Sequence, residues 1–345
     1  MTRPIALILA AVVLAASAPA SAQTSSADVE RARERAREQA RQATEQAREA
    51  SQKAREQMRA ERDRQRELRD AAGSLDTTVA FDARGTVIVN CPDGDIVVSG
   101  GSANEIRVKA RTESGAIRFT STGSRAILEP AAGRRCEDGR YEVTVPAGAR
   151  VSASSWNGGV TLRGVRGDAD VHTQSADVDV RDAGSRLDVE TLSGDVTVQG
   201  VASDASIRTV NGDVSLTGAR GDVEIETVSG DLTLRDIVAK QVRTHTTSGD
   251  VSFAGQIQGD GRYEFNTHSG DISLLLPPNV GAQLSISTFN GSIDSDFPIT
   301  LRAGEHGIGA AQAKRLNFTL GQGNARIVAE TFSGEVTLSS TARRR

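Results

Sequence analysis

The sequence predicts an all-β fold, a parallel β-solenoid (β-helix) built from coils of 18 to 21 residues. Three observations carry that prediction. A short motif recurs at a nearly fixed interval, and the residues between its copies alternate apolar and polar in the manner of strands. Large side chains are scarce, with aromatics at 3% beside 34 glycines, too few for a broad globular core and enough glycine to turn the chain many times. The motif is Ser-Gly-Asp, with Asn-Gly-Asp and looser variants, and its copies open at Asn157, Ser175, Ser193, Asn211, Ser229, Ser248, Ser269 and Asn290. The intervals are 18, 18, 18, 18, 19, 21 and 21 residues. Such a period belongs to repeat architectures, in which each unit buries its apolar face only against its neighbours.

Taken from the N-terminus, residues 1–22 read as a secretory signal peptide. Arg3 precedes an apolar run over residues 5–18, and Ala20-Ser21-Ala22 stands before Gln23 as a cleavage site. The run is shorter than the ~20 residues a spanning helix needs. Export to the periplasm or cell envelope, or secretion, is therefore expected. No cysteine follows the run, so lipid attachment is not, and no later segment is apolar enough to cross a bilayer.

Residues 23–72 form a charged helix or coiled coil. From residue 28 to residue 70 there are 13 Lys or Arg and 11 Asp or Glu with no Gly or Pro, and Ala, Arg, Gln and Glu are good helix formers. Ala32, Ala36, Ala40, Ala43, Ala47, Ala50 and Ala54 mark one face at steps of three and four. An alanine seam buries little area, so a solitary stalk of roughly 65 Å stands beside self-association through the helix. The charges nearly cancel, which argues against nucleic acid. Residues 71–76 break the helix at Gly73, and the solenoid occupies residues 75–345.

Residues 86–90, 95–99, 105–110 and 116–120 alternate as strands between Gly, Asn and Asp. The half-unit then regularises as Asp195-Val196-Thr197-Val198, Asp213-Val214-Ser215-Leu216 and Asp231-Leu232-Thr233-Leu234. A second strand completes each unit, as in Leu187-Asp188-Val189-Glu190-Thr191 and Val223-Glu224-Ile225-Glu226-Thr227. Stacked in parallel at ~4.8 Å, the coils align Val178, Val196, Val214, Leu232, Val251 and Ile272 as one inward column and Val189, Ile207 and Ile225 as another. An up-and-down sandwich would not return one residue to one corner every 18 positions. Two gaps of 43 residues, 114 to 157 and 290 to 333, have similar flanks: residues 141–146 lead into Trp156-Asn157-Gly158 as residues 274–278 lead into Phe289-Asn290-Gly291. A duplication accounts for this. Residues 317–328 read as a hairpin that closes the last coil.

Cys91 and Cys136 precede the similar turns Cys-Pro-Asp-Gly-Asp and Cys-Glu-Asp-Gly-Arg. An even count in an exported chain favours a disulfide, and their separation of 45 residues, close to two long units, brings equivalent corners together. Two free buried thiols are the alternative; the spacing excludes a CxxC metal site.

Three columns flank the motif. Thr173, Thr191, Thr209, Thr227, Thr246, Thr267, Thr288 and Thr331 lie two residues before it and read as structural threonines bonding along their column. Asp177, Asp195, Asp213, Asp231, Asp250 and Asp271 stack carboxylates about 5 Å apart, a repulsion of about 1 kcal/mol per pair in water. Capping of backbone N–H groups at each one's own corner is the expected compensation, with a row of Ca²⁺ sites as the sharper alternative. Between Thr and motif stand Trp156, Gln174, Leu192, Val210, Val228, Thr247, His268, Phe289 and Phe332. Strict alternation points them outward as a partner surface; tucked at the corner they are core, and core is the expectation. No catalytic, cofactor or metal site is expected. His172 and His245 share a repeat position four coils apart, about 19 Å; His268 belongs to another column and His306 to a Gly-rich gap.

The pattern Thr-x-Ser/Asn-Gly-Asp-Val/Ile, the Leu275-Leu276-Pro277-Pro278 segment before Phe289-Asn290-Gly291-Ser292-Ile293, and Gly321-Gln322-Gly323 resemble a widespread bacterial family, a domain of unknown function described as a candidate adhesin. The resemblance covers residues 151–339 well and 75–150 weakly. It implies a β-solenoid and envelope association and supplies no catalytic residues; the long charged helix departs from a bare family member. The functional expectation is a non-enzymatic exported envelope protein, an adhesin or scaffold, whose partner is an envelope protein or polysaccharide. A carbohydrate-binding or stress-sensing module is the alternative, and a polysaccharide-active enzyme a distant one.

Overall fold

A computed structural model describes residues 26–70, 73–113, 115–131, 138–298, 314–322 and 324–341. The expected signal peptide, Cys136 and His306 lie outside the described residues. The chain divides into two units between Gln65 and Arg66. In the first, α1 (Ser26–Asp70) is one uninterrupted helix, as its run of helix formers dictates, and its described side chains are all exposed, Ala47, Ala50 and Ala54 included.

The second unit is β structure. It begins with β1 (Gly73–Ala80), β2 (Thr86–Gly101), β3 (Glu105–Thr112), β4 (Ile117–Ser121), β5 (Arg125–Pro130), β6 (Gly139–Pro146), β7 (Arg150–Asn157) and β8 (Val160–Arg163). The regular coils follow as β9 (Ala169–Ser175), β10 (Val178–Ala183), β11 (Leu187–Ser193), β12 (Val196–Val201), β13 (Ala205–Asn211), β14 (Val214–Ala219), β15 (Val223–Glu226) and β16 (Leu232–Ser248). The last elements are β17 (Val251–Ser269), β18 (Ile272–Leu276), β19 (Ala282–Asn290), β20 (Ile293–Ser295), β21 (Lys314–Leu320), β22 (Ala325–Ser333) and β23 (Val336–Ser340).

Each coil contributes one strand to each of two walls. Wall I runs β4, β5, the start of β2, β7, β9, β11, β13, β15, the ends of β16 and β17, β22, β19 and β21. Wall II runs β1, β3, β6, the end of β2, β8, β10, β12, β14, the starts of β16 and β17, β18, β23 and β20. Pairing is parallel except at the ends, where β1–β3–β6, β4–β5 and β19–β21 are antiparallel. These end strands cover edges that would otherwise template further pairing.

The expected inward columns are direct register partners. Val178, Val196, Val214, Leu232, Val251 and Ile272 stack in wall II, Val189, Ile207 and Ile225 in wall I, and all are buried in one continuous core. The regular coils are lined by Val, Leu, Ile and Ala. Where the period lengthens, β16 and β17 absorb the extra residues through register shifts after Arg235 and Ala239. The wider coil is filled by rings: Phe253 sits 6.1 Å from Tyr263 and 5.1 Å from Phe265.

Stacking order departs from sequence order at both ends. In wall II β6 and β8 flank β2, although β2 precedes both in the chain. At the other end β22 lies between β17 and β19, and β23 between β18 and β20. The Pro146–Arg150 and Leu276–Ala282 connections therefore skip one layer, and a segment from elsewhere fills the space. The hairpin expected over residues 317–328 is corrected accordingly. β21 does cover β19, but β22 pairs with the opposite edge of β19, so the two strands flank it instead of pairing with each other. Periodicity alone cannot show this, because an interleaved coil and a sequential one bury the same face.

At the motif corner the backbones approach closely, with Gly212 N donating to Ser229 O and Gly230 N to Ser248 O, both at 3.0 Å. Gly230 has φ +144°, and a Cβ there would collide with the carbonyl oxygen of Gly212. Gly230→Ala is expected to cost roughly 2–4 kcal/mol in denaturant unfolding. Gly259→Ala, whose Cβ would meet no atom within 4 Å, should be close to neutral. Equal midpoints for the two variants would contradict the stacking argument.

Candidate functional site

Each coil passes from wall I to wall II through Thr-x-Ser/Asn-Gly-Asp. The threonines pack inward, and Thr191, Thr209, Thr227, Thr246, Thr267, Thr288 and Thr331 are buried. Their hydroxyls do not form the expected ladder with one another. Thr267 donates to Gly249 O at 3.1 Å, Thr331 to Gly270 O at 3.0 Å and Thr288 to Gly334 O at 3.0 Å, each reaching the adjacent coil. Thr191 and Thr227 donate to Ser193 O and Ser229 O of their own corners. Hydroxyls one coil spacing apart, ~4.8 Å, are out of hydrogen-bond range, while carbonyls are within it.

Because Thr points in, the next residue points out. The column expected to be core is corrected: Trp156 is 61% exposed, Leu192 48%, Val210 37%, Val228 48%, Phe332 44% and Phe289 37%. Strand alternation persists to the motif instead of tucking at the corner. The result is an apolar ridge along one corner. The interleaved β22 sets its aromatic end, since Phe332 enters between His268 and Phe289 and stacks on both, with centroids 4.8 Å apart in each case and planes 11° and 9° from parallel. Sequence spacing groups these three rings in one column but cannot show that Phe332 is the middle one.

Beside this end of the ridge lies an open groove of about 660 Å³. His245, Glu330 and Arg315 line it from wall I and the His268–Phe332–Phe289 stack borders it. Lys314 Nζ donates to Gly291 O at 2.9 Å, which holds the ammonium at the corner. Elsewhere on the outer face of wall I, Arg208 and Arg243 are paired with carboxylates, whereas Arg262 and Arg326 face each other on β17 and β22. Arg208 lies within 3.9 Å of Asp188, Glu190, Glu224 and Glu226. Arg243 bonds Glu264 and Glu224, which push its guanidinium pKa further up.

The aspartate row caps backbone, though not at its own corners. Asp177 Oδ1 accepts from Asp195 N, and Asp195, Asp213, Asp231 and Asp250 accept in turn from Asp213, Asp231, Asp250 and Asp271 N at 2.8–3.0 Å. Asp271 accepts from Glu335 N at 2.7 Å, which follows the interleaved order. Each carboxylate thus ties its coil to the next, a charge-assisted bond that offsets the repulsion along the row. Among the described residues no three His, Cys, Asp or Glu side chains group to hold a metal.

His172 and His245 occupy one wall I column, separated by Glu190, Arg208 and Glu226, and His268 belongs to the ridge. The three are not brought together. Cys91 is fully buried in β2. No helix among the described residues is long and apolar enough to cross a membrane.

Residues 135–339 match a family model described as Toastrack DUF4097, more than half of the chain. No curated protein matches. Two solved structures align with it. A candidate cell adhesion protein from Clostridium sporogenes is 9% identical, with 78% of this chain and 100% of that one covered and a TM-score of 0.23. A candidate adhesin from Bacteroides fragilis is 12% identical, with 76% and 96% covered and a TM-score of 0.34. Scores of that size carry no argument about this chain.

Replacing Asp231 by Ala removes the acceptor for Asp250 N and is expected to cost about 1 kcal/mol at this solvated corner, with Asp231→Asn costing less. Melting should be the same with calcium and with chelator. A calcium-dependent rise would restore the cation-site reading.

Proposed function

The chain belongs to the Toastrack DUF4097 family, and we propose that it is a non-enzymatic, exported envelope protein, an adhesion or scaffold module that engages its partner through the corner ridge. The observation that carries this is the exposure of Trp156, Leu192, Val210, Val228, Phe332 and Phe289 in one column. Single exposed apolar residues are ordinary, whereas the runs Leu192–Val210–Val228 and His268–Phe332–Phe289, parted by Thr247, make a largely apolar strip of the kind that marks a contact surface.

The organisation proposed with it is a signal peptide over residues 1–22, a charged helix or coiled coil over residues 23–72 that tethers or self-associates, and the β domain over residues 75–345. The Cys91–Cys136 disulfide is part of the proposal. The register offset between β2 and β6, in which Gly94 faces Gly139, is the same 45 residues that separate the two cysteines. Alkylation of the denatured chain without reductant should label neither cysteine; two labelled cysteines would remove the bridge.

Sugar binding has one observation in its favour, Trp156, whose ring is exposed and on which no described ring stacks. Phe332 favours a protein partner, because both of its faces are stacked and are not offered to a sugar.

Binding of the purified chain to isolated cell envelopes tests the proposal. Phe332→Ala combined with Phe289→Ala should weaken it at least tenfold, the scale of aromatic contacts at interface centres. Unchanged binding would sink the ridge, and release of soluble fragments from envelope polymers would sink the non-enzymatic reading.

A further inference from the structure

We propose that the groove beside the aromatic end of the ridge is a docking site for an acidic peptide segment that carries apolar side chains. The proposal rests on the ridge being the contact surface and adds which partner its aromatic end selects.

The first argument is the ring geometry. In the His268–Phe332–Phe289 stack both faces of Phe332 and one face each of His268 and Phe289 are covered at 4.8 Å, so along the ridge the stack presents mainly ring edges outward. Aromatic edges carry the positive part of the ring quadrupole. They attract carbonyl and carboxylate oxygens and leave apolar flanks for side chains to lie against. A sugar ring, which would stack its C–H face on an open aromatic face, finds none in the middle of this trio.

The second argument is charge. Arg208 and Arg243 on the same wall are surrounded by carboxylates. Lys314 and Arg315 in the groove have no carboxylate partner among the described residues. The Lys314 contact is to a neutral backbone carbonyl, Gly291 O, which uses one of its three N–H donors. Arg315 faces Ser287 across the β19–β21 pair and is exposed. Glu330 is the one carboxylate lining the groove. A cation pair with no carboxylate partner among the described residues, beside positive ring edges and in a chain of net charge −4, suits an anionic partner.

The third argument is size and form. The groove is open and about 660 Å³, within the range of small-ligand sites, and it runs beside the ridge across β17, β22 and β19. An extended peptide fits that run, its acidic groups toward Lys314 and Arg315 and its apolar side chains against the Phe332 and Phe289 flanks.

Fluorescence anisotropy on the full chain tests this with three labelled probes of equal length: an alternating Glu/Phe peptide, the same peptide with Lys for Glu, and an oligogalacturonate. The Glu/Phe peptide should bind with an affinity that falls as salt rises. Arg315→Glu, an exposed change that should leave melting intact, should weaken it about tenfold and improve binding of the Lys/Phe peptide. Equal binding of the two peptides, or an Arg315→Glu variant indistinguishable from the parent, would overturn the acidic preference. Oligogalacturonate bound in an Arg315-dependent way, with no peptide bound, would overturn the choice of a peptide. If envelope binding is lost in the Phe332→Ala, Phe289→Ala variant but untouched in Arg315→Glu, the ridge stands and the acidic partner falls.

Discussion

Everything in the β domain depends on how closely the backbone of one coil approaches the next at the Ser-Gly-Asp corner. The glycine adopts a conformation and a proximity that no side chain permits. The aspartate hands its carboxylate to the N–H of the following coil, and the buried threonine hydroxyl takes up a corner carbonyl. Carboxylate and hydroxyl thus pair with backbone groups that the close approach at the glycine brings into reach. With that corner fixed, the inward faces of the flanking strands are fixed too, because alternation runs from it in both directions.

That dependence explains what the sequence disclosed. Val196, Val214 and Leu232 share a core column because each stands a set distance past a corner, and counting along the chain finds them. The ridge was visible as a column, Leu192, Val210 and Val228 among its members, but its direction rested on whether the corner begins before or after them. The threonine settles it by pointing in. The stacking order was beyond reach. Parallel coils bury identical faces whichever neighbour they choose, so nothing in residues 325–340 announces that they slide between coils already adjacent in sequence. The connections around Pro146 and Pro277 were legible as similar flanks of two gaps, yet their role as layer-skipping links needs the register.

The interleaving bears on function, because it assembles the aromatic end of the ridge. Coils stacked in sequence order would set Phe289 against His268 and leave Phe332 outermost. Interleaved, Phe332 closes the stack in the middle, so the three rings show edges and the last coil brings Lys314 and Arg315 alongside. A ridge of aliphatic side chains thereby acquires a distinct charged and aromatic end.

The stacking order is the claim on which the ridge, its stacked rings and the groove all rest, and paired cysteines test it directly. Ser287 and Glu330 are register partners on neighbouring strands, a separation of ~4.8 Å that a disulfide spans. Asn266 and Ser287 would be neighbours only if coils stacked in sequence order. The account predicts that the Ser287→Cys, Glu330→Cys protein oxidises to an intramolecular disulfide while the Asn266→Cys, Ser287→Cys protein does not. The reverse result would contradict it.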